Sequence, residues 1–481
     1  IPFQDRLLFL SPTINVSGMN QTFQNQVNWS VASGIGPTDN PTDPNAFNIQ
    51  TPGKGGFLIA PTQEPIVTAQ VIRNRLIVMF LYSTWEFVYT GNQVQPFRWQ
   101  SINIELGAQS TFSHIPFDKF ILGIGNQGVQ RCDGVNVQRI DDKIPDEVIN
   151  IQNANNGQQR VYGIRDYSFE MVYWAMPMSD ETIPVYPNRV MVYNYKTGTW
   201  AFNDDSITCF GYFQQQPADT WQTDTGTWED DDTLWQTGST QSNVSEIIAG
   251  NQEGFTFIID GNENSNAPSL QITNITIPSP NLSQLTVINH NLQQGDFVLV
   301  LSAVGNTSLN GNIYKVQVID PNTINVIQLG TTGVYLGQGT LSRVSRINIR
   351  TKQYNFYMKE ARNCFVAKVD FLVDATVAGA FTVDTFVSSA DGTSLIDNGQ
   401  ETGALVGTGV LKTSPYALAP LEQSQSRFWH PIFLQAEGEC VQLKIYFSDA
   451  QMVNTDIVTS DFQINAMVFW TLRTSIGFTS G

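Results

Sequence analysis

Histidine and cysteine are scarce, with three and four residues in a chain of 481. His114, His290 and His430 stand far apart, as do Cys132, Cys209, Cys364 and Cys440, and no CxxC pair occurs. Neither zinc-ligand spacing nor a disulfide framework is signalled, and no metal or cofactor is expected. Charge is thin as well: charged residues make up 14%, against about 25% in an ordinary soluble domain, so Asn, Gln, Ser and Thr must cover the surface. Cations are the scarcer sign, with Lys plus Arg at 25, Asp plus Glu at 43 and a net charge of -18. That balance argues against tight sequence-independent binding to nucleic acid, which neutralises phosphates with cations, and against anionic lipid surfaces. The longest purely apolar run, Leu76 to Tyr82, falls far short of the roughly 20 residues of a membrane-spanning helix. Ile1-Pro-Phe-Gln-Asp has no signal-peptide layout.

What is present is strand. Almost nowhere does a helical period persist, whereas short alternating or β-branched runs bounded by Gly, Asn, Asp or Pro recur throughout. Four segments share one form, a hydrophobic strand, a Gly turn and a second strand: Thr84 to Phe97, Gly128 to Ile140, Arg189 to Phe202, and Gly254 to Gly261. Their turn glycines, Gly91, Gly134, Gly198 and Gly261, are separated by 43, 64 and 63 residues. Such spacing fits blades of about 40 to 50 residues carrying insertions, as in a β-propeller; a sandwich with long loops fits the same pattern. Between about residues 267 and 345 strands and turns follow in close succession, as in Leu285 to Val300, Leu309 to Asp320 and Thr323 to Ile327. This describes a small inserted β unit. The expected organisation is therefore all-β: residues 1–266 as the first part of a six-bladed propeller, 267–345 as an inserted small β-barrel, and 346–481 returning to the propeller body.

Motifs that carry chemistry elsewhere fail on context. Gly123-Ile-Gly-Asn-Gln-Gly128 is a literal GxGxxG, but that fingerprint needs a helix after its last Gly; Val129-Gln-Arg-Cys-Asp-Gly follows and reads as a strand. Gly53-Lys54-Gly55-Gly56 lacks P-loop spacing, and Asp224-Thr-Gly226-Thr-Trp228 falls one residue short of a sialidase-type SxDxGxxW turn. Asp260-Gly-Asn262-Glu-Asn264 opens like a calcium loop, but Ser265 stands where the sharp turn needs Gly and no acid closes it. A glycosidase needs only two carboxylates at suitable separation, and Asp166, Glu170, Asp180 and Glu181 are candidates among many acids. Trp221, Trp228 and Trp235, seven apart in a polar loop, are candidate contacts to a neighbouring subunit or to glycan rings; equally they pin the loop onto its own sheet. The seven Asn-x-Ser/Thr triplets are explained by chance in a chain this rich in those residues.

Several stretches resemble the distal tail-tube proteins of short-tailed bacteriophages, the nozzle or tail tubular B family. They are Phe3-Gln-Asp-Arg-Leu-Leu-Phe9, Leu76-Ile-Val-Met-Phe80 with Trp85-Glu-Phe87, Phe120 to Gly134, Val192 to Trp200, and the Trp-containing segment from 220 to 235. The 267–345 span, with Asn289-His-Asn and Leu309-Asn-Gly311, is similar to a small β-barrel spacer of phage tail proteins. The resemblance implies a structural protein of the virion tail, without catalysis: a homo-oligomeric ring, a hexamer, below the tail adaptor, contacting fibres or a plug and the host surface, with double-stranded DNA passing through unbound. An acidic wall suits that passage, since like charge keeps DNA from sticking. The competing expectations are a carbohydrate- or receptor-binding propeller and, third, a glycoside hydrolase.

Overall fold

Short β-branched and aromatic runs cut by Gly, Asn and Asp turns fold as antiparallel strands throughout the computed structural model. The structure describes residues 1–33, 46–49, 54–92, 94–144, 148, 151, 161–178, 186–213, 246–252, 254, 256–259, 270–290, 292–327, 333–344, 346–357, 360, 362–374, 380–388, 404–412, 427–454 and 464–476. The chain divides into two units, Ile1–Gly261 and Asn262–Gly481.

The first unit is a succession of five small sheets. Strands Pro2–Phe3, Arg6–Leu10, Gln26–Trp29 and Gly56–Ile59 form the first, with an exposed hairpin, Thr13–Val16 and Met19–Thr22, between its second and third strands. Ile66–Ile72, Arg75–Phe80, Thr84–Tyr89 and Phe97–Asn103 form the second; Ile115–Pro116, Ile121–Gly125, Gly128–Cys132 and Val137–Arg139 the third. Tyr162–Asp166, Met171–Met176, Arg189–Asn194 and Thr199–Asn203 form the fourth, and Cys209–Phe213, Glu246–Gly250 and Thr256–Ile258 the fifth. In the last four sheets each strand pairs antiparallel with the next in sequence. Gly91, Gly134 and Gly198 sit at positive φ in the turn joining the last two strands of sheets two, three and four. In the fifth that place belongs to Gly254 (φ 87°); Gly261, the turn glycine expected from sequence, lies outside the described residues.

The sheets stack face to face in chain order. Leu76, Val78 and Phe80 share a core with Leu8, Val27 and Trp29 of the first sheet, while Ile77 and Met79, alternating with them, share another with Ile121 and Cys132 of the third. Leu122, Ile124 and Val129 meet Val172, Trp174 and Met176; Tyr173 and Ala175 turn the other way to Phe210, Ile247 and Ala249. The middle strands of sheets two to four are therefore buried on both faces, which is why Leu76 to Phe80 reads as an unbroken apolar run. First strands also neighbour one another in turn, Ile66–Ile72 with Ile115–Pro116, that with Tyr162–Asp166, and that with Cys209–Phe213. The two end sheets each turn an apolar face outward: Phe9, Phe57 and Ile59 on the first, Phe213 and Ile258 on the fifth are exposed.

In the second unit, the span set apart by its texture holds one seven-stranded sheet. Its order across the sheet is Leu270–Gln271, Thr340–Val344, Phe297–Leu301, Asn312–Asp320, Thr323–Ile327, Leu282–Thr286 and Asn274–Ser279. The two edge strands follow each other in the chain with only Ile272 and Thr273 between them, so the sheet curls round its core of Leu285, Val298, Val300, Val316, Ile324 and Leu341. Strands expected to return to the first body pair instead with one another among the described residues. Asn348–Arg350, Cys440–Tyr446, Ala380–Ser388 and Ala404–Lys412 make one sheet; Arg427–Gly438, Arg362–Asp374 and Ile464–Ile476 make a second. Val366, Val369, Phe371 and Val373 from the second sheet and Phe381, Val383, Val441 and Leu443 from the first close one core between them, a sandwich.

Phe80 is fully buried between two sheets whereas Phe57 lies on an uncovered face. Phe80→Ala is expected to cost about 3–5 kcal/mol and Phe57→Ala less than about 0.5 kcal/mol, read as the shift in urea midpoint at constant m; comparable shifts would contradict this stacking.

Candidate functional site

The GxGxxG run is a packing device. Gly123 and Gly125 lie in one strand of a hairpin and Gly128 opens the next, pairing with Gly125. A Cβ on Gly123 would meet the His114 ring at 2.3 Å, one on Gly125 the Gly107 carbonyl oxygen at 2.5 Å, and one on Gly128 the Asp141 carboxylate at 2.1 Å. His114 sits in this space among buried polar groups, of which the Gln130 Oε1 has no hydrogen-bond partner. The Ser113 hydroxyl donates to Ser110 O at 2.8 Å, so Nδ1 of His114, 2.9 Å from Ser113 Oγ, is the protonated nitrogen. Nε2 then accepts from Gln130 Nε2 at 3.3 Å. Burial pushes the imidazole pKa down to about 3, holding the ring neutral. Asp141 is buried too and takes both Arg139 Nε and Nη2 at 2.9 Å. These groups are engaged with one another within and beside the third sheet.

The carboxylates singled out for glycoside chemistry divide in the same way. Asp166 Oδ1 accepts the backbone N–H groups of Ser168 (2.7 Å) and Phe169 (3.1 Å), closing a hairpin. Glu170, at positive φ in that turn, pairs with Lys196 at 2.9 Å. Asp180 and Glu181 lie outside the described residues, as do Trp221, Trp228 and Trp235, the Asp224–Trp228 stretch and the Asp260–Ser265 loop. Cys132, Cys364 and Cys440 are buried and Cys209 is exposed; burial pushes the Cys132 and Cys364 thiols up to about 11, away from reactive thiolates. Among the described residues no three His, Cys, Asp or Glu side chains gather as metal ligands.

One surface does stand out. The sandwich sheet with Arg362–Asp374 at its centre buries one face and leaves the other open. Across that open face, strand register aligns Phe433, Lys368 and Trp470 in one row, Pro431, Asp370 and Val468 in the next, and Trp429, Leu372 and Ala466 beyond. Phe433 is 72% exposed, Trp470 52%, Trp429 51% and Leu472 62%. With strands about 4.8 Å apart, the Phe433 and Trp470 backbones stand about 10 Å from each other. The Trp470 indole is held at its edge and over its ring: Nε1 donates to Asp370 Oδ2, and the Lys368 ammonium lies 4.7 Å from the ring centroid. Lys368 in turn donates to both Asp370 oxygens at 2.9 Å. The signal in sequence was large apolar residues at i, i+2 and i+4 (Trp429, Pro431, Phe433; Val468, Trp470, Leu472) on strands whose alternate positions are apolar as well.

No protein-family model and no curated protein sequence matches the chain. Among solved structures it is similar to the extracellular domain of a hybrid two component system from B. thetaiotaomicron, at 12% identity over 72% of this chain and 35% of that one, with a TM-score of 0.24. It is similar to an exo-beta-1,3-galactanase from Phanerochaete chrysosporium at 8% identity over 82% and 78%, TM-score 0.19. PorZ, a surface component of the type-IX secretion system of Porphyromonas gingivalis, aligns at 10% identity over 89% and 68%, TM-score 0.18. The chain spans about a third of the length of the first of these. Similarity this low carries no argument about architecture or activity.

The unfolded chain protonates a histidine below about pH 6.5, but folded His114 takes its proton only near pH 3. Its contribution to stability is whole above 6.5 and drains away as pH falls towards 3, by at most about 1.4 kcal/mol per pH unit. Between pH 6.5 and 5 the unfolding midpoint of His114→Gln is therefore expected to fall less steeply than that of the wild type; parallel slopes would refute the buried neutral imidazole.

Proposed function

We propose that this chain is a non-catalytic structural protein built on a β-propeller, a subunit of the ring at the distal end of a short bacteriophage tail. The observation that carries the propeller is the stack of five antiparallel sheets in chain order, in which sheets two to four each share one core with the sheet before and another with the sheet after. The successive contact of the first strands of sheets two to five supports a radial arrangement in which those strands line the centre. Among the described residues no sheet covers the end faces that bear Phe9 and Phe57 on one side and Phe213 on the other, which leaves room for one further blade, in keeping with a count of six.

The tail assignment rests on the order of the resembling stretches along the sequence and on charge. A net charge of -18 per subunit suits a conduit that DNA must traverse without adhering. The mechanism is mechanical: ring closure, passage of the genome, and docking to adaptor, fibres or plug. Gold-labelled antibody against the chain should decorate the distal tip of short-tailed particles from the same source; decoration of capsids alone, or of no particle, would sink the tail assignment.

A second reading, a carbohydrate-binding protein, is favoured by one observation, the fixed and half-exposed Trp470 indole beside Phe433 and Trp429, since aromatic faces stack on sugar rings. A glycan array probed with the whole chain tests it, and uniformly blank spots would remove it.

A further inference from the structure

The open face of the sandwich is a docking surface, and we infer that its occupant is a second copy of this chain. This inference rests on the ring reading above, and three observations carry it: area, polar satisfaction and local charge. Aromatic side chains carry roughly 150–250 Å² each, so at exposures of 51%, 72% and 52% Trp429, Phe433 and Trp470 leave on the order of 350 Å² uncovered. Val468 and Leu472, both exposed, bring the patch to roughly 450 Å², the scale at which exposed apolar surface marks an interaction site. A standard interface takes about 800 Å² per partner, somewhat over half of it apolar. The patch supplies that apolar share.

The polar groups within it are already committed. Asp370 accepts Lys368 through both oxygens and the Trp470 indole N–H through one, and the backbone of Arg362–Asp374 pairs with a strand on each side. Covering this face with apolar atoms strands few donors or acceptors, the condition for a dry interface. A sugar site needs the reverse, unengaged polar groups converging on the ligand.

Local charge selects the partner. Two copies of a chain with 18 surplus negative charges repel least where they meet through a patch of little net charge. Here Lys368 offsets Asp370 and Arg427 offsets Asp374 at 2.8 Å, leaving Glu437, in register with Phe365 and Leu472, as the surplus acid of the face. Charge pairs arranged in this way let like molecules approach while aromatic anchors hold them.

Sedimentation velocity of the full chain across a wide concentration range tests the proposal with Phe433→Lys and Leu472→Lys, both at exposed positions, and with Val135→Lys, in an exposed turn of the third sheet, as control. Wild type and the control are expected to self-associate with similar affinity, and each sandwich variant to weaken association at least tenfold with an unchanged circular dichroism spectrum. Trp470→Ala, which removes the anchored ring, is expected to behave like them. Association that survives these variants would overturn the proposal while leaving a ring closed through another surface. A wild type that stays monomeric throughout would also overturn it, with labelling of particles still deciding the tail reading. A monomer whose tryptophan fluorescence responds to oligosaccharides, and loses that response in Trp470→Ala, would assign the face to a glycan instead.

Discussion

The first unit depends on one constraint: the middle strands of its sheets serve two cores at once. Alternate residues of Arg75–Phe80 point to opposite sides, Leu76, Val78 and Phe80 to one sheet and Ile77 and Met79 to another. Because side chains alternate with a period of two, a slip of one residue would exchange the two sets and unmatch both interfaces together. Register is thus set twice over for each such strand, and the sheets are locked in sequence. Consecutive four-stranded meanders joined by short turns reach this arrangement from local pairing, each sheet completing itself before it needs its neighbour.

The same constraint determines where polar chemistry resides. A sheet covered on both faces admits polar side chains where most of their groups find partners, as in the run from Ser113 through His114 to the Gln130 amide nitrogen. At sheet ends Asn and Asp side chains are spent on turns. Asp133 accepts the N–H groups of Val135 and Asn136, which hold its carboxyl below the usual carboxylate range; Asn194 accepts those of Lys196 and Thr197. The abundance of Asn and the surplus of acids therefore follow partly from the number of turns a chain of short strands requires.

How far the sequence discloses this differs from element to element. The hairpins at Gly91, Gly134 and Gly198 were legible because a positive φ demands glycine and the flanking runs alternate. The fourth was displaced: Gly254 makes the turn, and a strand beginning just after a glycine looks like one ending before the next. Ala404–Lys412 went unnoticed because Gly407 and Gly409 dilute its pattern, and Arg427–Gly438 because it carries Pro431, tolerated there since the strand lies at the edge of its sheet. Sequence offered Trp221, Trp228 and Trp235 as candidate contacts, which lie outside the described residues, and did not offer Trp429 or Trp470 in that role. A tryptophan among polar residues is conspicuous, whereas one on a strand apolar on both faces reads as core, and only pairing register tells which face is covered.

Electrostatics then connects the two units' separate properties. At physiological ionic strength a surface charge is felt over about 8 Å, so the excess acidity of the chain governs an encounter only through the charges nearest the contact. A molecule can therefore be strongly acidic where a polyanion must slide past and neutral where it must adhere to its like. On the docking face proposed above, Lys368 and Arg427 are each paired with an acid of the same strand or its neighbour. Exposed ion pairs contribute little to stability, and these are no exception. Their effect is to remove net charge from the ground on which Trp429, Phe433 and Trp470 stand, leaving apolar burial as the term that decides adhesion there.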